Sequence, residues 1–524
     1  MRDRQETASG RVKRVVIVGG GTSGWMCAAA LSRLVAHAGV EITLVESDEI
    51  GTIGVGEATI PSILDFNAAL GLDEDEFLRE TQGTFKLGIE FVGWNRPDER
   101  YIHPFGMFGR DTQAIKFHQL WLKFAQRGDV ELGPIEDYNL CAMAARLGRF
   151  ARPAGRGDSV LSSLRYAFHF DAGLYARYLR GYSERRGVVR REGKITEVLQ
   201  HADNGFIRAV KLANGEQIEG DLFVDCSGFR GLLIEETLHA GYETWNQWLP
   251  CDRAVAAPSS NVGPPPPYTR ATADEAGWRW RIPLQHRTGN GYVYCSSFIS
   301  DDDAEQRLLS TLEGAPLADP RRLKFVAGRR KAFWIKNCVA VGLAGGFIEP
   351  LESTSIHLAQ NAIARLLALF PDKDFSQPEI DEFNRLNQVE YEQTRDFIIL
   401  HYKANNRSEP FWRRLAQMPI PDSLQSKIDL FKSRGRALRG VQTLFTEDSW
   451  IAVMLGQGIH PDGYDPLVDS LPEDEARRFV RHVREMVGKT AQAMPLHAKF
   501  LEGLVVAPAP AGGVEPGSTT RAVR

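Results

Sequence analysis

The run that leaves this chain fewest options lies near its start. Val15-Val16-Ile17-Val18 is apolar and β-branched, the pattern of a strand buried on both faces. It leads into Gly19-Gly20-Gly21-Thr22-Ser23-Gly24, and Trp25 to Leu34 follows as an alanine-rich helix. Val40 to Val45 reads as a second strand, ended by Glu46. A βαβ unit of this kind demands a parallel sheet with helices on its faces. Gly19 permits the tight turn, Gly21 lets a pyrophosphate approach the backbone, and Gly24 lets helix pack on strand. Thr22 and Ser23 open the helix, where free N–H groups suit phosphate. Glu46, 22 positions after Gly24, stands where an acidic group accepts from ribose hydroxyls. The pattern predicts dinucleotide binding. The plain alternative is a glycine-rich turn without a ligand.

Later segments extend this body. Leu222-Phe223-Val224-Asp225 and Val339-Ala340-Val341-Gly342 read as further buried strands, and Val188 to Leu212 as alternating ones. Strands resume at Trp278 to Pro283 and Gly291 to Ser297, after a stiff connection at Pro264 to Pro267. Downstream, Ile356 to Leu369, Ile380 to His401 and Asp474 to Met494 read as helices. The expected fold is α/β: a Rossmann-type FAD-binding body of the hydroxylase or glutathione-reductase kind, with an added antiparallel sheet and a mostly helical C-terminal substrate region. The expected division is 12–375 for the body, with an insertion around 50–175 that contributes to the substrate pocket. Residues 376–505 form the helical substrate side, and 506–524, rich in Pro, Gly, Ala and Thr, a disordered tail.

Composition removes several function classes. A net charge of -4, from 63 basic and 67 acidic residues, gives no electrostatic case for nucleic acid or an anionic membrane. No apolar run approaches a membrane span, and Met1 to Arg14 has no signal-peptide core. Six scattered cysteines without a Cys-x-x-Cys pair suit reduced thiols and a cytoplasmic protein, and offer no zinc site. His286 and His357 lack partners at ligand spacing and read as hydrogen-bonding core or pocket residues, so no metal is expected. Oligomeric state is left at monomer or homodimer.

Trp278-Arg279-Trp280-Arg281-Ile282-Pro283 places two indoles on one face of a strand. On their own they are two core aromatics. The chain resembles the flavin-dependent halogenases, the family typified by tryptophan halogenases, through several motifs in the expected order. They are this hexapeptide, Thr84-Phe85-Lys86-Leu87-Gly88-Ile89, His103-Pro104-Phe105, Glu349-Pro350-Leu351-Glu352-Ser353-Thr354, and Asp448-Ser449-Trp450. Phe397 to Tyr402 and Val453 to Gly458 also look like family segments. The resemblance runs from about residue 14 to 480.

The resemblance implies FAD, used as FADH2 from a separate flavin reductase that acts by docking or by diffusion, together with O2 and a bromide or chloride ion. Asp225-Cys226-Ser227-Gly228 is similar to a second FAD segment, and Gly342 to Gly346 to a third; no second complete glycine motif for NADPH is visible. It implies Lys86 and Glu352 as the catalytic pair, and an ammonium and a carboxylate buried together would keep each other charged. From either segment alone the plainer reading comes first, a structural ion pair, or a surface lysine and a helix-cap glutamate. It implies Trp278 and Trp280 as a wall between flavin and substrate, and a halide site at Thr354 and Ser355, where a helix begins. Members specific for tryptophan usually have Gly at the position of Ser355, and the larger residue points to bromide over chloride. His103, Phe105 and Trp450 are the implied pocket for a small aromatic substrate. The family's residues for the amino-acid group of tryptophan are absent: their offsets from Trp450 carry Leu438, Arg439, Phe445 and Ser449, and Glu447 is out of step. Indole or an indole derivative is therefore expected before free tryptophan. Two alternatives stay open, an aromatic hydroxylase using the same flavin and a non-catalytic FAD-binding protein. Halide-dependent product formation separates the first from a halogenase.

Overall fold

The glycine-rich turn sits at the centre of a six-stranded sheet in the computed structural model. The structure describes residues 10–35, 38–49, 56–112, 114–153, 159–438 and 444–506; the expected tail and Arg439 lie outside them. Across the sheet the order is Trp334–Ile335, Cys338–Ala340, Leu222–Asp225, Arg14–Val18, Glu41–Glu46, Val189–Glu192. All neighbours are parallel except the hairpin of the first two. Val16 pairs with both Phe223 and Thr43, so Arg14–Val18 is covered on both edges and its β-branched run is buried. The helix Thr22–Leu34 buries Gly24, Trp25 and the alanine run, and packs on the helix Ala172–Glu184.

A second sheet carries most of the aromatic motifs. Its seven strands run Arg321–Lys324, Arg253–Ser259, Thr288–Tyr294, Gly277–Pro283, Thr269–Asp274, Gly88–Val92, Arg100–Pro104. Pairing is antiparallel except between Thr269–Asp274 and Gly88–Val92. Trp278-x-Trp280 and His103 therefore belong to one sheet. The strand Thr84–Lys86 precedes Gly88–Val92 directly and pairs with Ala167–Asp171. Two strands from the 50–175 region thus complete the added sheet.

Among the described residues, four helices of the C-terminal part were not read in the sequence: Pro410–Gln417, Asp422–Arg434, Glu447–Gly456 and His497–Val506. The helix Gln377–Lys403 is the longest of this part, at 27 residues, and its last turns are almost wholly buried. One apolar core runs from Val12 through Trp278 and Phe397 to Leu504, so body and helical part share an interior. Among the described residues no helix is long and apolar enough to cross a membrane, and no group of three His, Cys, Asp or Glu side chains could hold a metal.

Candidate active site

The reactive segment is a bent connector between Gly346–Phe347 and the helix Ser355–Ala368. Glu349 and Ser353 take positive φ, 31° and 59°, a region non-glycine residues rarely enter. Strain of this kind persists only where the surroundings enforce it, and it gathers at functional sites. Here it aims two carboxylates at different partners.

Glu352 is 2% exposed and lies between two imidazoles. His103 Nδ1 is 3.1 Å from its Oε1 and 3.0 Å from its Oε2, and His401 Nε2 is 2.8 Å from Oε1. Burial alone would push this carboxyl up; the charge and hydrogen bond of His103, with those of His401, outweigh it and hold the group at about 2. Lys86 is fully buried, and its Nζ donates to the Thr59 carbonyl and to Ser353 Oγ, both at 2.9 Å. Desolvation lowers the amine to about 7, against an opposing pull from Glu352. The expectation that the two charges sustain each other meets a divided outcome: Glu352 does pull the amine up, but no contact within 4 Å joins them, and the carboxylate's close partners are the histidines. Two strands hold Lys86 and His103 rigidly, so each group meets the nearer neighbour. Half-neutral near pH 7, the amine can act as a nucleophile.

Lys86 Nζ is 5.5 Å from the centre of the Phe105 ring. Beyond His103, Phe397 stacks on Phe445 at 3.7 Å and meets Trp450 edge-on at 4.9 Å. His103 is thus turned to Glu352 as well as toward this aromatic group. Leu438 is exposed, Ser449 lies in the first turn of its helix, and Glu447 pairs with Lys116 at 2.9 Å. Glu447 is therefore engaged away from Trp450.

Trp278 and Trp280 are buried on one face of their strand, ring centres 6.2 Å apart. Trp280 lies flat on Gly291, where a Cβ would come within 2.0 Å of the indole. Trp278 Nε1 donates to Glu349 Oε2 at 3.2 Å, and Tyr402 Oη donates to the same oxygen at 2.6 Å. Burial raises Glu349 to about 7 despite both hydrogen bonds. Glu349 and the run Phe397 to Tyr402 were read in the sequence only as parts of family-like segments, with no role given to Glu349, Phe397, His401 or Tyr402. Phe397 and His401 stand four apart on a helix, hence on one face, a spacing that could have marked them.

The dinucleotide cradle tests well for fit. Gly19 has φ of 111°, and a Cβ there would strike the Cys226 carbonyl at 2.2 Å. A Cβ on Gly21 would meet nothing within 4 Å, which leaves the approach to the helix start open, and no side chain caps that end. Gly342, at φ 69°, brings its loop to 2.2 Å (for a Cβ) from Ser23 Oγ. Glu46 accepts from Trp25 Nε1 at 3.3 Å and pairs with Arg190. Asp225, expected at the cofactor, is fully buried and accepts from the N–H groups of Ser227, Leu233 and Ile234, so it shapes the turn beside the cradle. Gly346 is paired with Arg329 in a short strand. Thr354 Oγ1 is buried with no hydrogen-bond partner among the described residues, beside the open start of the helix Ser355–Ala368, as an anion cradle requires. His357 bonds Ser62 and Glu390 as expected, whereas His286 is exposed in the turn after Pro283, its Nε2 3.8 Å from Asp171 Oδ2.

A glycine-lined cradle at an open helix start, two indoles on one strand face, and a buried amine near a carboxylate stand in one molecule. The family model described as Tryptophan halogenase matches residues 14–473. The chain belongs to the tryptophan halogenase family. It is 33% identical to Tryptophan 6-halogenase ThaL of Streptomyces albogriseolus, over 93% of this chain and 97% of that one. The flavin-dependent halogenase BrvH from Brevundimonas sp. BAL3 superposes with a TM-score of 0.91 at 48% identity, covering 94% and 99% of the two chains. Xcc4156, from Xanthomonas campestris, gives 0.91 at 49%, covering 96% and 100%. The chain is thus a flavin-dependent halogenase, an enzyme that uses FADH2, O2 and halide. Enzymes of this family depend on a separate flavin reductase and act on an aromatic substrate.

Proposed function

We propose that this halogenase acts on indole or an indole derivative in preference to free tryptophan, through Lys86, and uses bromide better than chloride. The observation that carries the reading is Lys86: a fully buried amine, lowered to about 7, near the Phe105 ring. Reduced FAD, when bound, supplies with O2 the oxidising equivalent that turns halide into hypohalous acid. Gly19, Gly21, Thr22, Ser23, Gly24, Glu46, Gly342 and Gly346 frame its site. Thr354 Oγ1 and the N–H groups at Ser355 hold the halide. Trp278 and Trp280 keep the arene from the flavin side. Lys86 hydrogen-bonds the oxidant or captures its halogen as a haloamine, and Glu352 handles the proton. A zwitterion would find no charged partner at Leu438, Phe445 or Ser449 to offset the loss of its hydration.

The test is a matrix of halides against indole, tryptophan and larger indoles, with FAD, NADH and an added flavin reductase, read by mass spectrometry. Brominated indole in excess of chlorinated indole and of halotryptophan supports the reading. Tryptophan turnover far above indole, or chloride equal to bromide, refutes the corresponding part. A hydroxylated product that forms without halide would favour the hydroxylase.

A further inference from the structure

The helix Gln377–Lys403 ends inside the site, and the family-like run Phe397 to Tyr402 sends two adjacent side chains to the two carboxylates of 349–354. Tyr402 serves Glu349. His401 serves Glu352 in a way that fixes where its protons are. Its ring is fully buried, and Nδ1 is 2.8 Å from the Phe397 carbonyl. A carbonyl only accepts, so Nδ1 carries a hydrogen. The other nitrogen, Nε2, is buried 2.8 Å from Glu352 Oε1, too far off line for a formed hydrogen bond, and has no hydrogen-bond partner among the described residues. A nitrogen and an oxygen that both present only lone pairs do not rest at that separation; it is a hydrogen-bond distance. His103 reaches the two carboxylate oxygens through a single nitrogen, Nδ1, and supplies its own hydrogen there. One further proton therefore belongs between His401 and Glu352.

We propose that Glu352 and His401 hold one proton in common and work as a single acid–base unit during halogen transfer. Glu352 touches the reactants, and His401 is the positioning residue that keeps the proton available. The idea rests on the halogen-transfer reading of Lys86 and Glu352 above. In the first step the π pair of the ring carbon forms the carbon–halogen bond. The halogen–oxygen bond of hypohalous acid breaks with its pair on oxygen, which takes the shared proton from Glu352 and leaves as water. In the second step the C–H bond at that carbon breaks, and its pair restores the aromatic ring. The proton goes back to the Glu352–His401 unit. The ring is oxidised by two electrons and the halogen reduced by two, and no proton is gained or lost overall. A carboxylate without this stored proton could take the ring proton but would have none to give to the departing oxygen.

Among the described residues, other groups that face the unit are Lys86, and from the strand Arg100–Pro104 both His103 and Tyr101, whose hydroxyl donates to Gln457. The discriminating variant is His401→Gln, whose amide can still donate to Oε1 but cannot exchange a proton. With bromide, indole, FADH2 and O2, bromoindole is measured beside hypobromous acid trapped by a diketone scavenger. The expected result is a kcat for bromoindole lower by roughly 100-fold, the scale of general acid–base catalysis. KM for indole should stay within about twofold, with partial recovery as pH falls, because solvent then loads the carboxyl. A His401→Gln enzyme with wild-type kcat and pH profile overturns the proposal, since a donor alone would then suffice. If wild type makes trapped oxidant but no bromoindole, the underlying function fails instead, a separate outcome. Should His401→Gln not fold, infrared spectra of the wild-type holoenzyme decide. A protonated carboxyl or an imidazolium from this pair supports the unit; an ionised Glu352 beside a neutral His401 overturns it.

Discussion

Burying Lys86 has a thermodynamic signature that does not depend on turnover. Its amine falls from the ordinary 10.5 to about 7 because desolvation disfavours the ammonium. At about 1.4 kcal/mol per pKa unit, the ammonium is disfavoured in the fold by roughly 5 kcal/mol. The sign follows from proton counts. Between pH 7 and 10.5 the unfolded chain binds this proton and the folded protein releases it, so stability rises with pH there. Below pH 7 both states are protonated and the penalty is constant. From pH 7 to 9 the gain from this one group is roughly 2 kcal/mol. Lys86→Met removes the titration and keeps most of the volume. It also strands the Thr59 carbonyl and Ser353 Oγ, at about 1–3 kcal/mol each, so the absolute stability of the variant is a poor guide. The difference in slope is a good one, since other groups cancel. Denaturant unfolding of wild type and Lys86→Met at pH 7 and 9 should give curves that diverge by about 2 kcal/mol, wild type gaining more. Parallel behaviour would refute the reasoning, because it would mean the amine is solvated.

Three further outcomes are expected. Glu349→Leu leaves Trp278 Nε1 and Tyr402 Oη without their acceptor; unfolding should show a loss of roughly 2–5 kcal/mol, and product per FADH2 consumed should fall as the wall loosens. Gly291→Ala drives a methyl into the Trp280 indole and should cost about 1–3 kcal/mol with a shifted tryptophan emission, whereas an unchanged spectrum would contradict the packing. Trp450→Ala should raise KM for indole about tenfold through lost stacking and burial while oxidant formation persists, which initial rates with and without scavenger can check.

Much of the site was legible, and for identifiable reasons. The strand before Gly19 and the helix after Gly24 are local patterns, and Arg14–Val18 with Thr22–Leu34 follow them closely. Lys86 and Glu352 stood out through resemblance, but their relation did not. Which partner a buried charge takes depends on contacts 249 residues apart in the chain, as between His103 and Glu352, and no local spacing encodes that. Asp225 looked like a ligand because it ends a strand beside the cradle; the turn that consumes its oxygens lies downstream. Glu349 was hidden by its neighbour, since two glutamates three apart read as one motif until positive φ separates their directions. The helices 410–417 and 422–434 escaped because they are short, follow one another closely, and start at or just after a proline, Pro410 and Pro421, which reads locally as a turn.

The central claim is that oxidised halogen is held at the buried amine of Lys86, as hydrogen-bonded hypohalous acid or as a haloamine, apart from where it is formed. The direct measurement is a double-mixing experiment. Enzyme with FADH2, O2 and bromide reacts without substrate until the flavin absorbance is fully oxidised, free oxidant is quenched with a thioether, and indole is then added. Bromoindole formed at that stage, and absent with Lys86→Met, is the predicted result. Bromoindole that forms only when indole is present during flavin oxidation would contradict the account.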